Sequence, residues 1–353
     1  MSECRWYEVG GIAFGIRLEA PWTAMNYTET VAERISGARR GDRVDISPVR
    51  AGDDIPARTF VRGRAELPGD FTRSTLDLSQ YEPFHIEVPK SPSFVVSVLP
   101  SSGEDFGRME ISEADSLIMS VEEAPPYYYV YRKGEGTLFV FKDEADKVIA
   151  RMYLSGDARS AEFRPAEKCG PYSVVFYLSM ALRIVYSYNA AEHDALMLHS
   201  SVVGLDRDAV LFLGASGTGK STHSRLWLEN IPGAELVNDD NPVIRSEGGR
   251  FFVYGTPWSG KTPCYRKIRM PIRAVVRLSQ AGRNEIARVS GLNAYAAFCG
   301  SISAVRWEKA RMDEVVPLAS SVVMGIPFYK MGCLPDADAA RLCKETVFET
   351  ESV

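Results

Sequence analysis

The sequence predicts an α/β domain organised around a phosphate-binding loop and preceded by a β-rich N-terminal half. Three observations carry this. Residues 1–165 read as short β-branched and aromatic runs parted by turn-rich pieces. After Pro165, helix-periodic apolar segments alternate with short strand-like runs. One stretch, LFLGASGTGKSTHS at 211–224, has the strand, glycine turn and helix order that a phosphate loop needs.

In the N-terminal half the strand signals are RWYEVGGIAFGIRLEA, TFVRGRAEL, FHIEV, SFVVSVL, YYYVYR, TLFVFK and KVIARMYL. Between them lie RAGDDIP, LPGD, PSSGED and RKGEG, rich in the residues that supply turn geometry. Asp105-Phe106-Gly107 repeats a string known from protein kinases, but no His-Arg-Asp loop accompanies it, so it reads as coincidence. The composition shift places the boundary near 160–170, giving 1–165 as a β-rich domain and 166–353 as the domain that carries chemistry.

The second half opens with SVVFYLSMALRIVYSY at 173–188. It is too short to span a bilayer and carries Arg183 inside it, so it predicts a buried helix. Strand signals follow at AELVN, RFFVYG, AVVRLSQ and PFYKMG, with helical patterns over 291–304 and 308–324 and a last helix from Asp336. A net charge of −5 argues against a nucleic-acid or anionic-membrane partner. MSECRWYEVGG has no basic-then-apolar leader, and six scattered cysteines form no C-x-x-C pair. Reduced thiols in a cytoplasmic protein are expected.

Gly214, Ser216, Gly217, Thr218, Gly219, Lys220, Ser221 and Thr222 make up the loop and the first helical turn after it. Glycines let successive backbone N–H groups converge on an anion at a helix N-terminus. Lys220 adds a movable charge for the β/γ-phosphates and Ser221 a hydroxyl for Mg²⁺. ATP and Mg²⁺ are therefore the expected ligands. A guanine-reading N-K-x-D string and an LSGGQ-like signature are both missing, which argues against a GTPase and a transporter ATPase.

One helix and one strand beyond the loop stands Asn238-Asp239-Asp240-Asn241. Adjacent carboxylates at the carboxyl end of a strand face the crevice where α/β sheets bind ligands. One can hold Mg²⁺ and the other accept a proton from an incoming hydroxyl. We assign Asp239 as base and Asp240 as metal ligand beside Ser221, with the two roles exchangeable.

GASGTGKST followed by NDDN, with LMLHSSVV before the loop, resembles the HPr kinase/phosphorylase family and the related ATP-dependent phosphoenolpyruvate carboxykinases. The resemblance covers residues 195–345. It implies that His199 lies near the transferred phosphate, that Lys220 and Ser221 bind ATP and Mg²⁺, and that Asp239 and Asp240 share base and metal duties. The E-x-R-G-x-G segment of the bifunctional enzymes is absent, and Gly255–Arg266 (GTPWSGKTPCYR) stands in its place. The activity implied is transfer of a γ-phosphoryl group to a serine hydroxyl in a small molecule, peptide or protein. A carboxykinase-like lyase and a non-catalytic nucleotide-sensing module are the alternatives.

The segment GTPWSGKTPCYR predicts a loop over the same crevice. Lys261 and Arg266 are then expected to meet the γ-phosphate or an acceptor carboxylate, with Trp258 walling the acceptor side. The competing expectation is a surface loop with Trp258 tucked into the core. Nothing in the sequence decides between a monomer and a homo-oligomer.

Overall fold

The computed structural model describes residues 2–24, 75–102, 105–122, 127–167, 173–260 and 262–349. The expected strand at 59–67 and the turns RAGDDIP and LPGD lie outside them.

The chain begins with a hairpin of Glu3–Val9 and Ile12–Leu18. Gly10 and Gly11 both take positive φ, 56° and 76°, as the tight two-residue turn between twisted strands requires. In the second strand Ile12, Phe14, Ile16 and Leu18 are fully buried, the period-two signature of a strand with one face in a core. Phe94–Val98 pairs parallel to Ile12–Leu18 and to Ser160–Pro165. An antiparallel meander of Val148–Leu154, Gly136–Lys142, Tyr127–Lys133 and Ser116–Val121 completes the sheet on that side, and the short strand His85–Ile86 caps the other. Asp105-Phe106-Gly107 is a packing turn, with Phe106 buried under the Arg151 guanidinium.

The helix Val174–Ala190 starts at Ser173, whose hydroxyl accepts from the Phe176 N–H, and packs on this sheet. Beyond it lies a mixed α/β layer. Its strands run in the order Ala195–Met197, Val243–Glu247, Arg250–Tyr254, Arg269–Gln280, Asp208–Leu213, Ser201–Leu205 and Glu235–Asn238. Phe328–Cys333 pairs parallel to the twelve-residue strand Arg269–Gln280, and Glu285–Val289 pairs with Phe328–Cys333. Asp208–Leu213, Arg269–Gln280 and Phe328–Cys333 are thus parallel neighbours whose carboxyl ends share one edge.

Helices cover both faces of this layer, so the middles of its central strands, residues 210–213 and 274–276, are apolar and buried. Leu211, Leu213, Val275 and Phe328 face the helices Gly291–Cys299 and Lys309–Gly325. Val210, Phe212, Val276 and Met331 face Lys220–Asn230 and Ala337–Glu349. The structure is therefore an α/β part preceded by a β-rich part, as the sequence predicts. The core does not stop at the expected boundary, however. Val243, Trp258 and Val305 join the cluster formed by the N-terminal sheet and the helix Val174–Ala190. Among the described residues no helix is long and apolar enough to cross a membrane.

Candidate functional site

The glycine-rich loop leaves the carboxyl end of Asp208–Leu213 and runs into the helix Lys220–Asn230. Gly217 and Gly219 sit at φ 78° and 105° with open space where a Cβ would be. Glycine is needed there for backbone conformation rather than room. The Thr218 hydroxyl donates to the Ala215 carbonyl at 2.6 Å, and Gln280 Nε2 donates to the Gly217 carbonyl at 3.3 Å. Residues 215–217 and Ser221 are exposed, whereas Lys220 is only 9% exposed.

Lys220 Nζ donates to the carbonyls of Gly214 and Ala215, at 2.9 and 3.3 Å, and lies 3.0 Å from His199 Nε2. An ammonium can only donate, so Nε2 accepts and the imidazole is neutral with its proton on Nδ1. That Nδ1 is 2.9 Å from Asp240 Oδ1. Lys220, His199 and Asp240 therefore form one hydrogen-bonded chain. Burial pushes the Lys220 ammonium below its ordinary range, opposed by Asp240 and Asp239. Burial pushes the Asp240 carboxyl up, but the hydrogen bond from His199, the charge of Arg183 and a hydrogen bond from Asn241 outweigh it, so Asp240 stays anionic.

The Asp pair is held rigidly from below. The Asp240 N–H donates to Asn238 Oδ1, the Ser200 N–H to the Asp240 carbonyl and Asn241 Nδ2 to Asp240 Oδ2. Asp239 is 6% exposed, and its Oδ1 accepts from Ser201 Oγ at 2.9 Å. Ser201 has donated its only proton there, so Ser224 of the loop helix donates to Ser201, at 2.6 Å. Among the described residues no donor reaches Asp239 Oδ2. A buried carboxylate oxygen without a partner is costly, and marks a place where a ligand or proton is taken up.

Outside the loop lies a cavity of about 740 Å³, lined by residues 215–218, the end of Arg269–Gln280, Lys330 and the helix Gly291–Cys299. Strand register sets Leu213, Arg277 and Lys330 side by side, on the face toward that helix. Both cations are exposed. Val289, Ala296, Ala297 and Leu278 form an apolar wall, with Asn293 among them. Sequence reasoning missed this group because AVVRLSQ reads simply as a buried strand, and only its register with Phe328–Cys333 brings Lys330 alongside.

The segment after Arg250–Tyr254 does lie against the Asp pair. A Cβ on Gly260 would stand 3.0 Å from the Asp239 carbonyl oxygen and 3.2 Å from Asp240 Cβ. Its expected side-chain roles differ from what the structure holds. Trp258 does not wall a crevice. It is 4% exposed, stacked with Phe14 and edge-on to Tyr186 at 5.0 Å, because the N-terminal hairpin supplies an aromatic seat for it. Arg266 is also committed elsewhere, donating to Glu235 Oε2 at 2.6 Å and to the Leu236 carbonyl at 2.7 Å. Lys261 lies outside the described residues.

His223 is a packing residue of the loop helix. It is 2% exposed, accepts from Trp227 Nε1 at 3.2 Å and meets Phe212 edge-on at 4.7 Å. Burial pushes its pKa from 6.5 down to about 4. The unfolded chain binds this proton below pH 6.5 and the folded one does not, so stability rises with pH between about 4 and 6.5. The residue is expected to cost about 3 kcal/mol by the acid end of that window. His223→Gln keeps an acceptor for Trp227 and should flatten the slope. Urea midpoints from pH 7.5 to 4.5 measure it, and an unchanged slope would assign the acid sensitivity to other groups.

A family model described as SynChlorMet cassette protein ScmC matches residues 171–322. That span includes the loop and the Asp pair and covers less than half of the chain. No curated protein matches. Among solved structures, the Hpr(Ser) kinase/phosphatase from Coxiella burnetii is similar over 43% of this chain and 93% of that one, at 14% identity and a TM-score of 0.27. A likeness of that size carries nothing about fold or function.

Proposed function

We propose that this chain is an ATP- and Mg²⁺-dependent phosphotransferase that moves the γ-phosphoryl group to a serine-type hydroxyl, with residues 166–353 as its catalytic part. The observation that carries the reading is the hydrogen-bonded chain Lys220–His199–Asp240 beside Asp239, whose Oδ2 is buried and has no partner among the described residues. It joins the only movable charge of a glycine-rich loop to a pair of carboxylates, which phosphoryl transfer needs and a mere polar turn does not.

The loop N–H groups and Lys220 hold the phosphates. When they arrive, Lys220 Nζ exchanges the Gly214 and Ala215 carbonyls for phosphate oxygens, and His199 keeps Asp240 oriented through Nδ1. The cavity beside the loop takes the nucleoside, its base against Val289, Ala296 and Ala297, with Arg277 and Lys330 close to the anionic tail. Asp239 Oδ2 accepts the proton of the attacking hydroxyl, and Ser201 fixes the other oxygen.

The donor set fits Mg²⁺. Ser221 is exposed at the loop's end, and Asp240 is held anionic. Among the described residues no cluster of three or more His, Cys, Asp or Glu side chains is assembled. Mg²⁺ does not require one, since it keeps water and phosphate oxygens and takes one or two protein ligands. When bound it would supply positive charge to offset that of the transferring phosphoryl group.

The test is direct. With Mg²⁺ and γ-labelled ATP, the purified chain is expected to bind nucleotide by isothermal titration and to transfer label to serine or to a serine-bearing peptide. Absence of both binding and turnover would overturn the reading.

A further inference from the structure

The helix Val174–Ala190 turns one side toward the Asp pair. Ser179 accepts from Tyr81 Oη and Gln80 Nε2, each at 3.0 Å. Tyr186 packs on Trp258, and the Trp258 carbonyl accepts from the Asn241 N–H, next to Asp240. Ser187 Oγ is 3.6 Å from Met197 Sδ, on the strand that leads to His199. Positions 179, 183, 186 and 187 share this side of the helix. At its centre stands Arg183.

Arg183 is half-buried, and among the described residues no hydrogen bond or ion pair reaches its guanidinium. Other cations of this half, among the described residues, are engaged. Lys220 serves the loop carbonyls and His199, Arg266 serves Glu235, and Arg245 donates to the Gly10 and His193 carbonyls. The Arg183 charge is nonetheless felt on this side of the helix. It opposes the upward push of burial on Tyr81, which donates to Ser179, and on Tyr128. A partly desolvated guanidinium that no described carboxylate hydrogen-bonds is an incomplete pair, and its planar fork matches a carboxylate.

We propose that Arg183 binds a carboxylate carried by the phosphoryl acceptor, so that the substrate class is a hydroxy acid of serine type, as the free amino acid or as a chain-terminal residue. This rests on the phosphotransferase reading above. Gln80, bonded to Ser179 of the helix, and Tyr128 of the N-terminal sheet, on which the Arg183 charge acts, give that half a part in selecting the acceptor. The bond formed is between the acceptor oxygen and the γ-phosphorus, the bond broken is between that phosphorus and the ADP oxygen, and the hydroxyl proton goes to Asp239. Arg183 takes no part in these changes and only holds the acceptor.

The experiment compares matched pairs, L-serine against L-serinamide and a serine-ended peptide against its C-terminal amide, with wild type, Arg183→Gln and Arg183→Lys. Transfer is measured with Mg-ATP, and acceptor binding by titration in the presence of a non-hydrolysable ATP analogue. Wild type is expected to favour the carboxylate member of at least one pair by about 10- to 100-fold in kcat/KM, the worth of a charge-assisted hydrogen bond. In Arg183→Gln that preference should collapse, chiefly through KM, and Arg183→Lys should restore part of it. The pair that shows the preference tells a free amino acid from a chain end.

Equal use of both members by wild type, or an equal loss on both members in Arg183→Gln, would overturn the carboxylate site and leave the phosphotransferase standing. Carboxylate binding that depends on Arg183 without any transfer would overturn the phosphotransferase and keep the anion site. Neither binding nor transfer would overturn both. Melting curves of the two variants show whether either is simply misfolded.

Discussion

Asp239→Asn is expected to lower phosphoryl transfer by about 10²–10⁴-fold, the usual loss when a general base is removed, with ATP binding retained. The substitution is nearly isosteric. An asparagine still accepts from Ser201 Oγ, so the Ser224–Ser201 link to the loop helix survives. What changes is the second atom, which becomes unable to take a proton where Oδ2 now lies buried, with no partner among the described residues. Asp240→Asn should behave differently. It removes the negative charge that His199 Nδ1 addresses and that Mg²⁺ would require, so its main effect is a higher Mg²⁺ concentration for half-maximal rate. Saturating rates and Mg²⁺ titrations on both variants separate the two roles. An exchanged pattern swaps the assignments, and wild-type rates in both reduce the pair to a turn.

Lys220→Ala is expected to cost about 10³-fold in kcat/KM for ATP, since a preorganised charge on the transferring group is lost. It should not be silent in the fold either. Lys220 Nζ braces its own loop through the Gly214 and Ala215 carbonyls and supplies the donor for His199 Nε2. Deleting it removes the donor from the Gly214 carbonyl and His199 Nε2, while the Ala215 carbonyl keeps Thr218, for an expected destabilisation of about 1–3 kcal/mol. Lys220→Arg keeps the charge in a rigid fork too wide for a site built around a point donor, and should recover stability better than rate. Rates and denaturation midpoints on the two variants give the comparison. Unchanged turnover in Lys220→Ala would end the case for a phosphate loop.

The loop was legible because its demands are local. Glycines at 217 and 219 meet positive φ within one turn, and Lys220 and Ser221 follow in the same helix. The alternation of helices and strands after Pro165 was legible from apolar period alone, although the short strands Ala195–Met197, Val243–Glu247 and Glu285–Val289 escaped it. Positions whose surroundings come from far along the chain were misread. Trp258 is claimed by Phe14 and Arg266 by Glu235, and neither partner can be inferred from GTPWSGKTPCYR itself. Ser201 and Ser224 carried no motif, yet they fix Asp239. Arg183 registered only as an interruption in an apolar helix, because its importance lies in what the fold sets around it.

The apolar cluster that joins the N-terminal sheet, the helix Val174–Ala190 and Trp258 has a consequence for how such a protein can change. The half that would choose an acceptor and the half that would act on it are not interchangeable parts bolted together. They are one packed solid, and Phe14 and Tyr186 hold the tryptophan whose carbonyl accepts from the amide N–H beside Asp240. A new substrate preference cannot be acquired by exchanging the front of the molecule while the back stays put. It has to be reached by small substitutions along the joint, each of which also disturbs the register of the carboxylates a few ångströms away.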